Sequence, residues 1–281
     1  MSIVVTAASG QLGRLVVESL LERGVVGSDI VATSRDISRL EDLAERGVGT
    51  AVLDYRAPGD DLIGRGDTVL LVSGTQRDRV AQHRAVIELA AKAGAARVAY
   101  TSAIRADHTT LFVAPDHAAT EVILRDSGVP FTILRNNWYH ENYRPAFEQA
   151  RQTGVVITSA TEGRISSASR RDYADAAAAV LIGAGHEGEV YELGGDTGWT
   201  MQELADTFGE ALGRPIELRT VSPEQHRQIL TDAGLTGFMI ELPLALDRDT
   251  TAGNVYVDTH DLSRLIGRPT TPIAQAVRSW V

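Results

Sequence analysis

The sequence contains no cysteine. That excludes disulfides, thiolate metal ligands and a cysteine nucleophile, and it accords with a cytoplasmic protein. Lysine is nearly missing as well: Lys92 is the single one, and every other side-chain cation apart from histidine is arginine. No apolar run approaches the roughly 18 residues that a membrane-crossing helix needs. No basic segment precedes the first apolar run, so neither a membrane span nor a signal peptide is expected. The 281 residues carry a net charge of −10, and their cations are scattered. A nucleic-acid groove needs clustered cations, so no nucleic-acid partner is expected. What is present is ordinary for a globular chain, with 43% hydrophobic and 23% charged residues. The length allows one large α/β domain, or a large and a small one.

The most informative run is Ile3-Val4-Val5-Thr6-Ala7-Ala8-Ser9-Gly10-Gln11-Leu12-Gly13. An apolar stretch stops at small residues, and Leu15, Val16, Val17, Leu20 and Leu21 then recur at helical spacing. This reads as strand, tight turn and helix. The first N–H groups of a helix are unpaired and carry partial positive charge, so such a turn attracts a pyrophosphate. Gly10 and Gly13 let the backbone approach the phosphates and the helix pack on the strand. One position departs from the G-x-x-G-x-x-G pattern: Ala7 stands where its first glycine belongs, and an alanine is expected there only with a negative φ.

Strand patterns at 2–6, 29–34, 50–54, 67–73, 97–102 and 130–135 alternate with helical patterns at 11–23, 37–46, 78–93 and 116–127. Residues 55–66 carry no helical pattern. The strands are continuous apolar runs such as Thr68-Val69-Leu70-Leu71-Val72, as expected when helices cover both faces of a parallel sheet. The fold class is therefore α/β, a Rossmann-type doubly wound parallel sheet, with a smaller C-terminal α+β region for substrate. Residues 1–136 form the nucleotide-binding part, 165–195 return to it, and 137–281 form the smaller part. In that part Thr200 and Glu203 spell a capping box, Ser222 and Pro223 open another helix, residues 243–254 read as a loop, and Thr271 and Pro272 start a last helix.

The second strand ends Ser34-Arg35-Asp36, about twenty residues after the glycines. An acid at this place holds the ribose 2′-OH of NAD, whereas an arginine receives a 2′-phosphate. NADPH is thus favoured and NADH is the second candidate. Ser34 can add a hydrogen bond; the bland alternative is that Arg35 is a solvated charge beside Asp36. Asp54, ending the third strand, could meet the adenine amine or cap a turn. Ser73 and Gly74 end the fourth strand and let the backbone pass close to a cofactor.

A tyrosine with a lysine four residues later, the acid pair of the standard short-chain dehydrogenases, does not occur. Exchange of an alcohol and a ketone needs a proton for the alkoxide and is disfavoured. A quinone gives a weakly basic phenolate and a triarylmethyl cation needs no proton, so such acceptors need positioning more than acid catalysis. His117 and Tyr139 are the candidate catalytic residues, with His117 the obvious group to titrate near neutral pH. His117 and Glu121 share a helix face, but no third ligand is in evidence and no metal is expected. Asn136, Trp138 and Tyr139 are candidate substrate contacts; packing under the second region is the alternative for the aromatic pair.

Several runs together resemble the type-2 NAD(P)H:quinone oxidoreductases, and with them the triphenylmethane reductases of the NmrA-like, atypical short-chain dehydrogenase group. They are TAASGQLG at 6–13, Arg35, Ala99-Tyr100-Thr101-Ser102, Asp116-His117-x-x-Thr120-Glu121, Leu134-Arg135-Asn136-Asn137-Trp138-Tyr139-x-Glu141-Asn142-Tyr143, Gly185-His186-Glu187-Gly188-x-Val190-Tyr191-Glu192-Leu193 and Leu265-Ile266-Gly267-x-Pro269-Thr270. The resemblance runs through nearly the whole chain. It implies NADPH in a cleft between a Rossmann domain and a small domain, with hydride passed to a quinone or dye. Cofactor contacts carried over are Gly10, Gln11, Leu12, Gly13, Arg35, Ser73, Gly74, Thr101 and Ser102; Thr6, Ser34 and Asp54 are further cofactor candidates from their places at the strand ends. The partner expected is a small aromatic or quinone molecule, and the protein a monomer or homodimer. Residues 104–115 match only partly, so the acceptor transfers least. Two rivals stand beside this reading: a dinucleotide sensor without turnover, and an NADPH-dependent enzyme of secondary metabolism.

Overall fold

The computed structural model describes residues 1–109 and 111–281; Thr110, within the 104–115 loop, lies outside them. In chain order the strands are β1 (Ile3–Val5), β2 (Ile30–Ser34), β3 (Gly49–Val52), β4 (Thr68–Leu71), β5 (Arg97–Ala103), β6 (Phe131–Asn136), β7 (Val155–Thr158), β8 (Val190–Leu193) and β9 (Glu217–Thr220). The helices are α1 (Gln11–Glu22), α2 (Glu41–Glu45), α3 (Arg79–Ala93), α4 (Ala114–Asp126), α5 (Arg144–Thr153), α6 (Arg170–Ile182), α7 (Met201–Leu212), α8 (Pro223–Asp232), α9 (Phe238–Thr251), α10 (Asp261–Ile266) and α11 (Ile273–Arg278).

Seven strands make one parallel sheet in the order β3-β2-β1-β4-β5-β6-β8. Side chains alternate across a strand. Val5, Leu70 and Ala99 therefore join α1 and α6 in one core, while Val4, Val69, Leu71, Val98 and Tyr100 join α3 and α4 in another. Each strand needs apolar residues at every position to fill both, which is why these segments read as unbroken hydrophobic runs. α6 presents Ala174, Ala177 and Ala178 to α1, and Ser19 donates to the Asp175 carboxylate at 2.8 Å between them. The chain order reverses between β1 and β4. In open α/β sheets the ligand crevice lies there, beyond the carboxyl ends of the strands.

The remaining elements build a third core on that carboxyl edge, from Phe147, Trp199, Leu204, Phe208 and Trp280, with a small parallel sheet of β7 and β9. The predicted capping box at Thr200 and Glu203 is present. Two expectations need correction. The helix expected at 37–46 is a 3₁₀ turn, Ile37–Leu40, followed by the short α2. The loop expected at 243–254 is largely helix, since α9 runs through Pro243 to Thr251. A proline inside a helix costs about 3 kcal/mol, but Asp247 is held by the Thr158 hydroxyl (2.9 Å), the Ser159 N–H (2.5 Å) and His226 (3.0 Å). Those long-range bonds stabilise the helix, and no local pattern announces them. Among the described residues, no helix is long and apolar enough to cross a membrane.

Candidate functional site

The turn after β1 sets the geometry. Thr6 is fully buried; its hydroxyl accepts the Val72 N–H at 2.9 Å and bonds the Tyr55 hydroxyl, which donates to the Val72 carbonyl at 2.9 Å. Thr6 therefore ties the ends of β1 and β4 together, and its hydroxyl proton is spent on the Tyr55 oxygen. Ala7 follows with φ of 49°, in the left-handed region and not at the negative φ expected. The turn demands it: the Ala8 N–H reaches the Thr33 carbonyl (2.8 Å) and the Gly10 N–H the Ala7 carbonyl (2.9 Å). A Cβ on Gly13 would lie 2.6 Å from that carbonyl oxygen, so only glycine lets α1 pack here. Gly10 caps α1 without any side-chain hydrogen bond. The first N–H groups of α1 are thus left bare beside a cleft of about 900 Å³ bordered by Gly10, Gln11, Leu12 and Gly13.

At the end of β2, the Ser34 hydroxyl donates to the Ser9 hydroxyl (2.7 Å) and accepts the Asp36 N–H (3.1 Å). Ser34 braces the corner and is itself buried. Arg35 is exposed and makes no hydrogen bond or ion pair among the described residues. Arg39, which the sequence reading missed, donates to the Ser9 carbonyl at 3.3 Å and brings a second guanidinium to the turn. Asp54 accepts the Arg56 N–H at 3.0 Å, a turn cap.

Ser73, Gly74 and Ser102 border the cleft; Thr101 does not. The Thr101 hydroxyl instead accepts the Ser73 N–H at 2.9 Å and so steadies the loop after β4. Gly74 donates its N–H to His83 Nε2 at 3.0 Å. That bond leaves the imidazole proton on Nδ1, from which it is donated to the Thr120 hydroxyl (3.1 Å), and Thr120 donates to the Asp116 carbonyl (2.8 Å). Burial, with a smaller push from Arg79, lowers the His83 pKa to about 4, so it stays neutral. His83 was not foreseen, because nothing near it in sequence announces a contact with Gly74. Ser102 donates to Glu121 at 2.6 Å. Arg135 grips both oxygens of the same carboxylate, at 2.9 and 2.6 Å.

His117 lines the cleft with Nδ1 2.8 Å from the Tyr100 hydroxyl. Burial lowers its pKa to about 3, so it does not titrate near neutrality as expected. That nitrogen is engaged, and Glu121 beside it is clamped by Arg135. Asn136, Trp138 and Tyr139 all border the cleft. Asn136 Oδ1 and Trp138 Nε1 are buried without hydrogen-bond partners among the described residues. Burial raises the Tyr139 phenol above its ordinary value. Its oxygen accepts from Asn136 at 3.4 Å, which leaves the phenolic proton for a guest. Asn137 is spent on structure, donating to the Val255 and Ser166 carbonyls (2.9 and 3.0 Å). Asp249 on α9 is a further cleft residue that the sequence reading missed. It is fully buried, and burial raises its carboxyl.

A buried polar atom without a partner costs free energy. The orphaned amide oxygen of Asn136 and the indole N–H of Trp138 match a carboxamide or carbonyl. The bare α1 amides match a pyrophosphate, and Arg35 matches a phosphate beyond the sheet edge. The residues present therefore fit an extended dinucleotide. A family model described as NAD(P)H-binding matches residues 7–182, and the chain belongs to that family. Quinone oxidoreductase 2 of Escherichia coli (strain K12) is 40% identical to it over 98% of this chain and 97% of that one. The crystal structure of an E. coli NADPH-dependent quinone oxidoreductase complexed with NADPH superposes with a TM-score of 0.94 at 39% identity, covering 99% of each chain. That of Citrobacter sp. triphenylmethane reductase complexed with NADP(H) superposes with a TM-score of 0.94 at 32% identity, covering 100% of each.

Proposed function

We propose that this chain is an NADPH-dependent oxidoreductase that reduces electrophilic acceptors of the quinone or cationic-dye class. One observation carries the reading: the cleft pairs anion-binding features at one end with neutral hydrogen-bonding groups at the other. Gly10, Gln11, Leu12 and Gly13 hold the pyrophosphate through backbone N–H groups, and Arg35, with Arg39 beside it, takes the 2′-phosphate. Ser73 and Gly74, fixed by Thr101 and His83, form the floor on the nicotinamide side. When bound, the reduced nicotinamide supplies a hydride.

Asn136 and Trp138 orient the reacting groups, and Tyr139 and His117 border the oxygen that gains negative charge. At neutral pH both are uncharged, so they stabilise a phenolate by hydrogen bonding without yielding a full proton. That suits a quinone, whose reduced oxyanion is weakly basic. It does not suit a ketone, whose alkoxide needs an acid. The relatives named quinone oxidoreductase and triphenylmethane reductase support this acceptor class. Residues 1–136 with 165–195 form the nucleotide-binding part in this reading, and 137–281 the acceptor-binding part. A cytoplasmic monomer or homodimer is the setting.

The test is NADPH oxidation, followed by absorbance, on adding simple quinones and triarylmethane dyes. Oxidation dependent on the acceptor is expected; none across a broad panel of quinones, dyes and nitroaromatics would overturn the proposal. The strained Ala7 in the phosphate turn favours a second reading, a sensor that binds the dinucleotide without turnover. Tight NADPH binding in a titration, without oxidation, would select it.

A further inference from the structure

A second cavity, of about 810 Å³, opens between α8 and α9. It shares Phe112, Phe238 and Leu242 with the cleft described above, so the two spaces adjoin. Either volume alone is enough for a whole small-molecule ligand. The boundary is the aromatic pair Phe112 and Phe238, with ring centroids 6.2 Å apart. Phe238 is 63% exposed, an unusual place for a large apolar ring beside a cleft. Beyond the pair the wall is apolar, with Pro223, Leu244 and Ala245. The charges at its rim balance: Arg227 pairs with Glu241, and Glu224, which accepts the Ser222 hydroxyl, is matched in number by Arg248. No net charge is available to select an ionic ligand, whereas uncovered apolar surface is.

We infer that this cavity is a subsite for an uncharged alkyl or isoprenoid tail on the acceptor, whose head lies in the cleft. The inference rests on the acceptor class proposed above and narrows it. A chain leaving the head passes over Leu242, covers Phe238 and continues along Leu244 and Ala245. Each methylene so buried should tighten binding by roughly fourfold until the space is filled.

The experiment compares one quinone head, bare and with a decyl tail, in the wild-type protein and in Ala252→Trp and Leu244→Glu. Both substituted residues border only the second cavity. The tail should raise kcat/KM at least tenfold in the wild type, through KM. Each variant should lose most of that gain while reducing the bare quinone as the wild type does, which also shows that it is folded. A wild type indifferent to the tail, or variants equally impaired on both quinones, would overturn the inference. Reduction of the bare quinone reports on the acceptor class separately, so it can stand while the subsite falls. If neither quinone is reduced, calorimetric titration with the decyl hydroquinone still reads the subsite. Binding by the wild type but not by the variants supports it, and no binding overturns it.

Discussion

Ala7 holds a φ of 49° because the backbone bonds around the turn after β1 leave no other path. A left-handed conformation costs an L-residue with a Cβ roughly 1–2 kcal/mol. Ala7→Gly should remove that cost and return part of it as unfolded-chain entropy, for a net gain of about 0.5–1 kcal/mol. Urea denaturation measures it; an unchanged or lower stability would mean that the turn is not strained. Arg35 is the opposite case, an exposed cation without a partner among the described residues. Arg35→Glu should weaken NADPH binding at least about tenfold, the worth of one charge-assisted phosphate contact, and leave NADH and stability nearly unchanged. Equal loss for both nucleotides would deny Arg35 the 2′-phosphate. Gly10 and Gly13 were legible in the sequence because they shape the turn through local backbone geometry, and Arg35 was singled out by its place at a strand end. Arg39, His83 and Asp249 were not, since each owes its role to a partner or a wall that the fold brings to it.

Among the elements, β6 is the junction. Arg135 at its end holds Glu121 of α4, Glu192 of β8 and Asp107 of the loop after β5, with its side chain only 5% exposed. Removing one partner of a buried pair leaves an uncompensated charge. Arg135→Met should therefore cost about 3–5 kcal/mol, and adding Glu121→Gln should recover part of it, since the amide no longer demands a cation. Chemical denaturation of both variants checks this, and a loss below about 1 kcal/mol for the single change would refute the clamp. The strands were legible for a related reason: a sheet buried on both faces forces unbroken apolar runs. α9 was not legible. Its sequence carries a proline and alternating acids, and it is helical because Asp247 finds partners on β7 and α8.

For the molecule as a whole, the buried histidines dictate how stability depends on pH. His83, His117 and His140 are all held below their ordinary value, with burial the leading cause. In the unfolded chain they take up protons near pH 6.5. Between that point and their folded values, about 4 for His83 and about 3 for His117, the unfolded state binds more protons. Stability should thus be complete above pH 7 and fall as pH drops toward 5, by on the order of 2 kcal/mol at pH 5 for each of His83 and His117, with His140 acting in the same direction. Exposed His260, raised chiefly by Asp196, acts weakly in the opposite sense. Denaturation midpoints at pH 7 and 5 test the slope, and His83→Asn should flatten it; a protein equally stable at both values would contradict the burial. The sequence by itself determined the wound sheet and the glycine turn that opens α1, because strand burial and helix starts are written in residues that are neighbours in the chain. Only the tertiary structure decided which polar groups stay unpaired in the cleft, which histidines remain neutral, and that a second cavity adjoins the first. Those properties depend on what surrounds a side chain once distant segments have met.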